Sequence, residues 1–144
     1  MLEILCDASV VLKWFHAEGE EEVGESRALL DLHRSRRAAL SVLDLTVYEV
    51  SNALIRGMRV PAARAQVVLE ALDAICPRLS IATAELADAL ELAELHGLTV
   101  YGAAYAAVAR SRHARLATLD QLLLAAGLGE VPSEIIKRRS YAGT

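Results

Sequence analysis

Short unbroken apolar runs alternate along the chain with longer stretches in which apolar residues recur every three or four positions. The run Ile4-Leu5-Cys6 ends abruptly at Asp7. A run this short and continuous suits a strand buried on both faces, as in a parallel sheet. Residues 10–15 then predict an element packing back on it. The charge-rich stretch 18–25, with Glu18, Glu20, Glu21, Glu22 and Glu25, predicts the solvated start of a helix. That helix continues through Leu29, Leu30 and Leu32 and places His33, Arg34, Arg36 and Arg37 as cations in its last turn. Residues 38–42 predict a second strand. A helix from 44 to 56 follows, with Val47, Val50 and Leu54 inward and Glu49, Asn52 and Arg56 sharing another face. After the break at Gly57 and Pro61, a helix over 62–75 turns Ala65, Val68, Leu69 and Leu72 inward.

Residues 77–82 predict a third strand. Thr83 caps a helix over 84–96, with Leu86, Leu90 and Ala93 on its apolar stripe, His96 in its last turn and Gly97 as its stop. Thr99 caps the next helix, which reaches Arg112. Residues 115–118 form a fourth strand, which ends at Asp120. A short helix over 121–126 closes at Gly127, Val131 adds a candidate fifth strand, and Lys137-Arg138-Arg139 opens a basic, mobile tail. Strands alternating with helices imply an α/β domain over residues 1–144. Its central parallel sheet has four or five short strands, strand one in the middle, and helices on both sides.

Composition narrows this picture. The 144 residues suffice for one domain with a real core. Apolar residues make up 54% and aromatics only 4%, so the core is mostly Leu, Ala and Val. A net charge of −4 does not advertise nucleic acid, although local patches still can bind it. Cys6 and Cys76 are too few for a disulfide framework or a zinc site, which suits a reduced, cytoplasmic setting. No apolar run approaches the ~20 residues of a membrane span, and the N-terminus lacks a basic signal region.

Two short strands each deliver an aspartate at their carboxyl ends, Asp7 and Asp120. Asp7 taken alone reads as a cap of the next helix before it reads as a ligand. If strands one and four are neighbours, both face one crevice where open α/β sheets carry their ligands, and Glu49 can join them. Clustered carboxylates repel one another unless a cation lies between them. A hard divalent ion satisfies that demand and suits in-line phosphodiester displacement. No His or Cys cluster, Gly-rich phosphate loop or Ser-His-Asp spacing competes with this reading.

Four blocks of the chain resemble the PIN-domain family. They are Asp7-Ala8-Ser9-Val10-Val11-Leu12-Lys13-Trp14-Phe15, then Tyr48-Glu49-Val50-Ser51-Asn52-Ala53-Leu54, then Leu98-Thr99-Val100-Tyr101 with Ala103-Ala104-Tyr105, and finally Leu116-Ala117-Thr118-Leu119-Asp120. Their order and spacing are the family's, and within it the chain resembles VapC-type toxins of toxin–antitoxin pairs. The resemblance implies a three-layer PIN-like fold and Mg²⁺- or Mn²⁺-dependent RNA cleavage. It also implies a VapB-type antitoxin as partner. It assigns Asp7, Glu49 and Asp120 as the catalytic, metal-holding acids, with Thr118 supporting the last. Where the family carries a further Asp after the tyrosine of the third block, this chain has Gly102. The chain is therefore expected to be either an impaired ribonuclease toxin or a non-catalytic PIN-like module that engages an antitoxin or RNA. Apolar helix faces in excess of what one sheet covers, with Leu86, Leu90, Leu92 and Leu95 spread around one helix, predict a homodimer. Arg56, Arg110 and Arg112 are candidates for RNA contact.

Overall fold

A computed structural model describes residues 1–16, 19 and 21–141, and only the backbone of 139–141. Four strands form one sheet in the order β3-β2-β1-β4, with β1 over Leu2–Cys6, β2 over Ala38–Leu43, β3 over Arg78–Leu79 and β4 over Arg115–Ala117. All pairings are parallel, and β1 lies inside, with Leu5 opposite Ser41 on one side and Leu116 on the other.

The period-two rule sorts the strand residues into two cores. Ile4, Cys6, Ala38, Leu40, Val42 and Ala117 face one layer. It contains α1 (Ala8–Phe15), α2 (Val23–Arg34), α3 (Asp44–Asn52), α4 (Ala62–Ile75) and α8 (Pro132–Tyr141). Leu5, Leu43 and Leu116 face the other, made by α5 (Thr83–His96), α6 (Val100–Ser111) and α7 (Gln121–Ala125). The result is the three-layer α/β architecture expected from the alternation of elements. Trp14 fastens α1 to α2 by donating from Nε1 to the Ser26 carbonyl at 2.9 Å.

Several expectations change in detail. The helix from Asp44 stops being α-helical at Asn52 and continues as a π-helical turn over Ala53–Gly57, where the Met58 amide donates to the Ala53 carbonyl at 2.9 Å. Upstream, Ser51 Oγ donates back to the Val47 carbonyl at 2.6 Å, a bond of the kind that bends helices. No fifth strand forms at Val131. Glu130 makes one bridge to Ala117, and Pro132, which lacks an amide donor, turns the chain straight into α8. Lys137 and Arg138 lie within that helix rather than in a tail, whereas residues 142–144 lie outside the described residues, as do Glu18 and Glu20. β3 has two residues where six were expected.

α5 is rotated relative to its predicted stripe. Its buried residues are Glu85, Ala89 and Leu92, while Leu86 and Leu90 are exposed. Glu85 can point inward because Arg112 donates to both its oxygens, at 3.0 and 2.9 Å, and the Ala82 amide donates at 2.8 Å. The alanines of α6, Ala103, Ala104, Ala106, Ala107 and Ala109, are all buried and let the two helices approach closely. His33 is not a terminal cation. Its Nδ1 accepts from the Leu40 amide at 3.1 Å, so the ring is neutral and Nε2 donates to the Ile75 carbonyl at 2.8 Å.

Candidate active site

The apolar run of β1 ends by delivering Asp7 into the crevice beyond the strand's carboxyl end, with 5% of its surface exposed. One carboxylate oxygen, Oδ1, accepts from Ser9 Oγ at 2.5 Å and from the Val10 amide at 3.3 Å, which caps α1. The other, Oδ2, accepts from Thr118 Oγ1. Both hydroxyls also accept bonds from the segment after β4. Thr118 Oγ1 takes the Asp120 amide at 3.0 Å, and Ser9 Oγ takes the Leu119 amide at 2.9 Å. The ends of β1 and β4 are thus stitched together around one carboxylate. Burial pushes the Asp7 carboxyl up to about 6. The bonds from Ser9, Thr118 and Val10 pull it down, and the charge of Glu49 adds to the rise.

Glu49 comes from α3, half-buried, and its Oε1 accepts from Tyr105 on α6 at 2.6 Å. Burial holds its carboxyl above the usual range; the Tyr105 bond opposes this and the charge of Asp120 reinforces it. Asp120 caps α7, its Oδ1 accepting from the amides of Leu122 at 2.9 Å and Leu123 at 3.4 Å. Asp7, Ser9, Glu49, Gly102, Tyr105 and Asp120 line one pocket of about 140 Å³. The three predicted acids, from three separate segments, therefore share one crevice.

Thr118 does more than support Asp120, because its hydroxyl also donates to Asp7. Gly102 lies in the first turn of α6, capped by Thr99, whose Oγ1 accepts the Gly102 amide at 3.0 Å. A Cβ there would meet Thr99 Oγ1 at 3.4 Å and Leu123 at 4.0 Å, ordinary contacts that leave room for a side chain. The arginines are elsewhere. Arg112 is committed to Glu85 and to the Ser80 carbonyl. Arg110 lines a different pocket with Arg115 and Glu130, and none of the three arginines lines the carboxylate pocket. Ser9 and Tyr105 were not assigned as site residues from the sequence. A hydroxyl two residues past Asp7 is a detectable signal, whereas Tyr105 reads as core in an alanine-rich helix.

The donor set can be tested against a divalent cation. Asp7, Glu49 and Asp120 offer hard oxygen donors, and no Lys or Arg neutralises them among the described residues. Two of them carry raised pKa values, chiefly through burial and in part through a neighbouring acid, Glu49 acting on Asp7 and Asp120 on Glu49, and a cation relieves that charge. The chemistry of the donors fits Mg²⁺ or Mn²⁺. Among the described residues, however, no three His, Cys, Asp or Glu side chains stand close enough to hold one ion directly.

Comparison with known proteins bears on the chain as a whole and on its fold. The family model for the PIN domain matches residues 4–127. Ribonuclease VapC3 of Pyrobaculum aerophilum is 37% identical over 127 residues, spanning 85% of this chain and 92% of that protein. Among solved structures, the fold is similar to that of PAE2754 from Pyrobaculum aerophilum, with a TM-score of 0.70, 28% identity, and coverage of 97% of this chain and 90% of that one. It is also similar to Mycobacterium tuberculosis VapC20, a sarcin-ricin-loop-cleaving toxin. There the TM-score is 0.68 at 19% identity, covering 89% and 98% of the two chains.

Proposed function

The chain belongs to the PIN-domain family, within its VapC-type ribonuclease toxins, and on that premise we propose that it is a Mg²⁺- or Mn²⁺-dependent endoribonuclease of a type II toxin–antitoxin pair, impaired by Gly102. The observation that carries this reading is the convergence of Asp7, Glu49 and Asp120 on one pocket that Gly102 also lines. Those three acids are the residues that would hold the ion, in part through water, since they do not close a three-ligand cluster by themselves. When bound, the ion supplies charge stabilisation for the in-line displacement at a phosphodiester. Asp7 contributes a fixed, dehydrated carboxylate, locked by Ser9 and Thr118. Glu49, with its raised pKa, is suited to accept a proton from the attacking water. Asp120 keeps Oδ2 free of hydrogen bonds among the described residues and completes the acidic wall.

The partner is a cognate VapB-type antitoxin, and a fitting seat is the groove of about 270 Å³ lined by Phe15, Leu54, Val60, Val67 and Val68 with Arg64 at its side. Homodimerisation accounts for the exposed leucines of α5. A second reading is favoured by the empty side-chain position at Gly102 together with the open ligand set. On it, the chain is a PIN module that engages antitoxin or RNA without cutting.

One experiment separates the two. Gly102→Asp, for which the backbone and neighbours leave room, adds a carboxylate in the first turn of α6, where the helix dipole tolerates negative charge. On the toxin reading it strengthens Mn²⁺ binding and raises RNA cleavage at matched salt in antitoxin-free protein, and adding Asp7→Asn abolishes both. Unchanged metal affinity and cleavage in Gly102→Asp would remove position 102 from the site, and cleavage absent from both proteins would favour the binding module.

A further inference from the structure

Buried hydroxyls beside the pocket form a chain whose direction can be worked out. The Leu43 amide, at the carboxyl end of β2, donates to Thr46 Oγ1 at 3.0 Å. A backbone amide can only donate, so the Thr46 oxygen is an acceptor there and its own proton remains to give. Thr46 Oγ1 and Tyr105 OH are 2.8 Å apart, and Tyr105 OH is 2.6 Å from Glu49 Oε1. An ionised carboxylate only accepts, so the single phenol proton goes to Glu49, and Thr46 must donate to Tyr105. Thr46 is 0% exposed and Tyr105 is 2% exposed, so bulk water does not compete for these bonds.

We propose that Tyr105 is a positioning residue for Glu49, the last member of a one-way relay that runs from the Leu43 amide through Thr46. The other buried residues of α6 are alanines and Val108, so Tyr105 brings a polar tip to an otherwise apolar buried face. The relay ties Oε1 and leaves Oε2 without a hydrogen bond among the described residues, so one oxygen is anchored and the other is free. It also explains what α6 still brings to the site. Tyr105 lies one turn beyond Gly102 and lines the same pocket, so the helix contributes through Glu49 rather than by an acid of its own. The inference rests on the metal-holding role given to Glu49 above. It extends that role to two residues with no acidic chemistry.

The test uses the full chain with Tyr105→Phe, which keeps the ring and deletes the hydroxyl, and Thr46→Val, which cuts the relay one link earlier. The first measurement is the rotamer order of the Glu49 side chain by NMR couplings and relaxation, without metal. The relay predicts one rotamer in the parent and averaging among rotamers in both variants. The second is a titration with Mn²⁺ alone. Groups that hydrogen-bond to ligating carboxylates typically govern ~10- to 100-fold in metal affinity, so Tyr105→Phe is expected to weaken Mn²⁺ binding about tenfold. In a Glu49→Gln background the same substitution is expected to have no further effect. A general packing defect would instead weaken binding equally in both backgrounds, and that result overturns the proposal. So does a Glu49 side chain that stays in one rotamer in folded Tyr105→Phe and Thr46→Val. If the parent binds no Mn²⁺, the NMR readout decides the relay by itself, and the metal-dependent reading of the site is what has failed.

Discussion

Asp7 holds two positions at once, helix cap and buried anion, and they pull its energetics in opposite directions. As a cap it satisfies the Val10 amide; as an anion with no cationic partner among the described residues it is desolvated. Its carboxyl titrates near 6 in the folded chain against 3.8 for a free aspartate. Between those values the folded state holds its proton more tightly than the unfolded state does. Stability therefore falls as pH rises through that window. Asp7→Asn keeps an acceptor for the cap and removes the charge. In the presence of chelator it is expected to melt higher than the parent at pH 7.5, by on the order of 1–3 kcal/mol. The two should converge near pH 4, where the parent carboxyl is already protonated. Thermal melts at both pH values check this, and added Mn²⁺ should shrink the gap by stabilising only the parent. The acids were legible in the sequence because each sharply ends a recognisable element or sits on a polar face. The hydroxyls that hold them were less so. Tyr105 carries a polar tip on an apolar ring, and the hydrophobic pattern registers only the ring.

At the scale of elements, the pairing of α5 with α6 decides where the apolar pattern misleads. A leucine stripe through Leu86 and Leu90 is as regular as the true inner face of Glu85, Ala89 and Leu92. What selects the second is a close helix contact over small residues and an ion pair that makes a glutamate tolerable inside, and neither is encoded locally. The bond from Arg112 holds the Glu85 carboxyl down at about 2, opposed by burial and assisted by the Ala82 amide. A depressed folded pKa gives stability that is present above the usual 4.5 and is lost as pH falls toward 2. Arg112→Met leaves that carboxylate without its charged partner and is expected to cost about 1–3 kcal/mol at pH 7. The cost should fade below pH 4, where the orphaned carboxyl is protonated. Urea titrations at pH 7 and pH 3 measure the difference. The π-helical turn after Asn52 was equally hidden, because a helical apolar stripe continues through it to Leu54.

For the whole molecule, the alternation of strand and helix patterns sufficed to specify a parallel sheet with β1 inside and the acids at one edge, and the structure has that plan. It did so because each buried strand must be apolar on both faces and each crossover must be long enough for a helix. The outer surface is less determined. Leu90 and Leu95 are 55% and 76% exposed, Tyr101 is 63% exposed, and an apolar pocket of about 250 Å³ opens between Leu45, Ile81, Leu86 and Val100. Exposed apolar surface of this kind marks interaction sites. The chain is expected to sediment as a dimer at micromolar concentration, and Leu90→Glu is expected to shift it to monomer with the fold intact by circular dichroism. A parent that sediments only as monomer would count against the pairing. Among the described residues no helix is long and apolar enough to cross a membrane.

The double duty of Asp7 and Asp120 bears on how such a site can decay over generations. Each begins a helix, α1 and α7, so replacing either by an apolar residue also removes a cap, at about 1 kcal/mol of stability. Position 102 has no such obligation. In this chain only its amide is engaged, by Thr99, so the loss of an acid there leaves the cap of α6 in place. Descent under relaxed selection should therefore silence this fold first at position 102, leaving folded, antitoxin-competent chains behind. Cleavage assays across relatives that differ at positions 7, 102 and 120 would test that order of loss. Inactive members that keep position 102 but have lost both capping aspartates would contradict it.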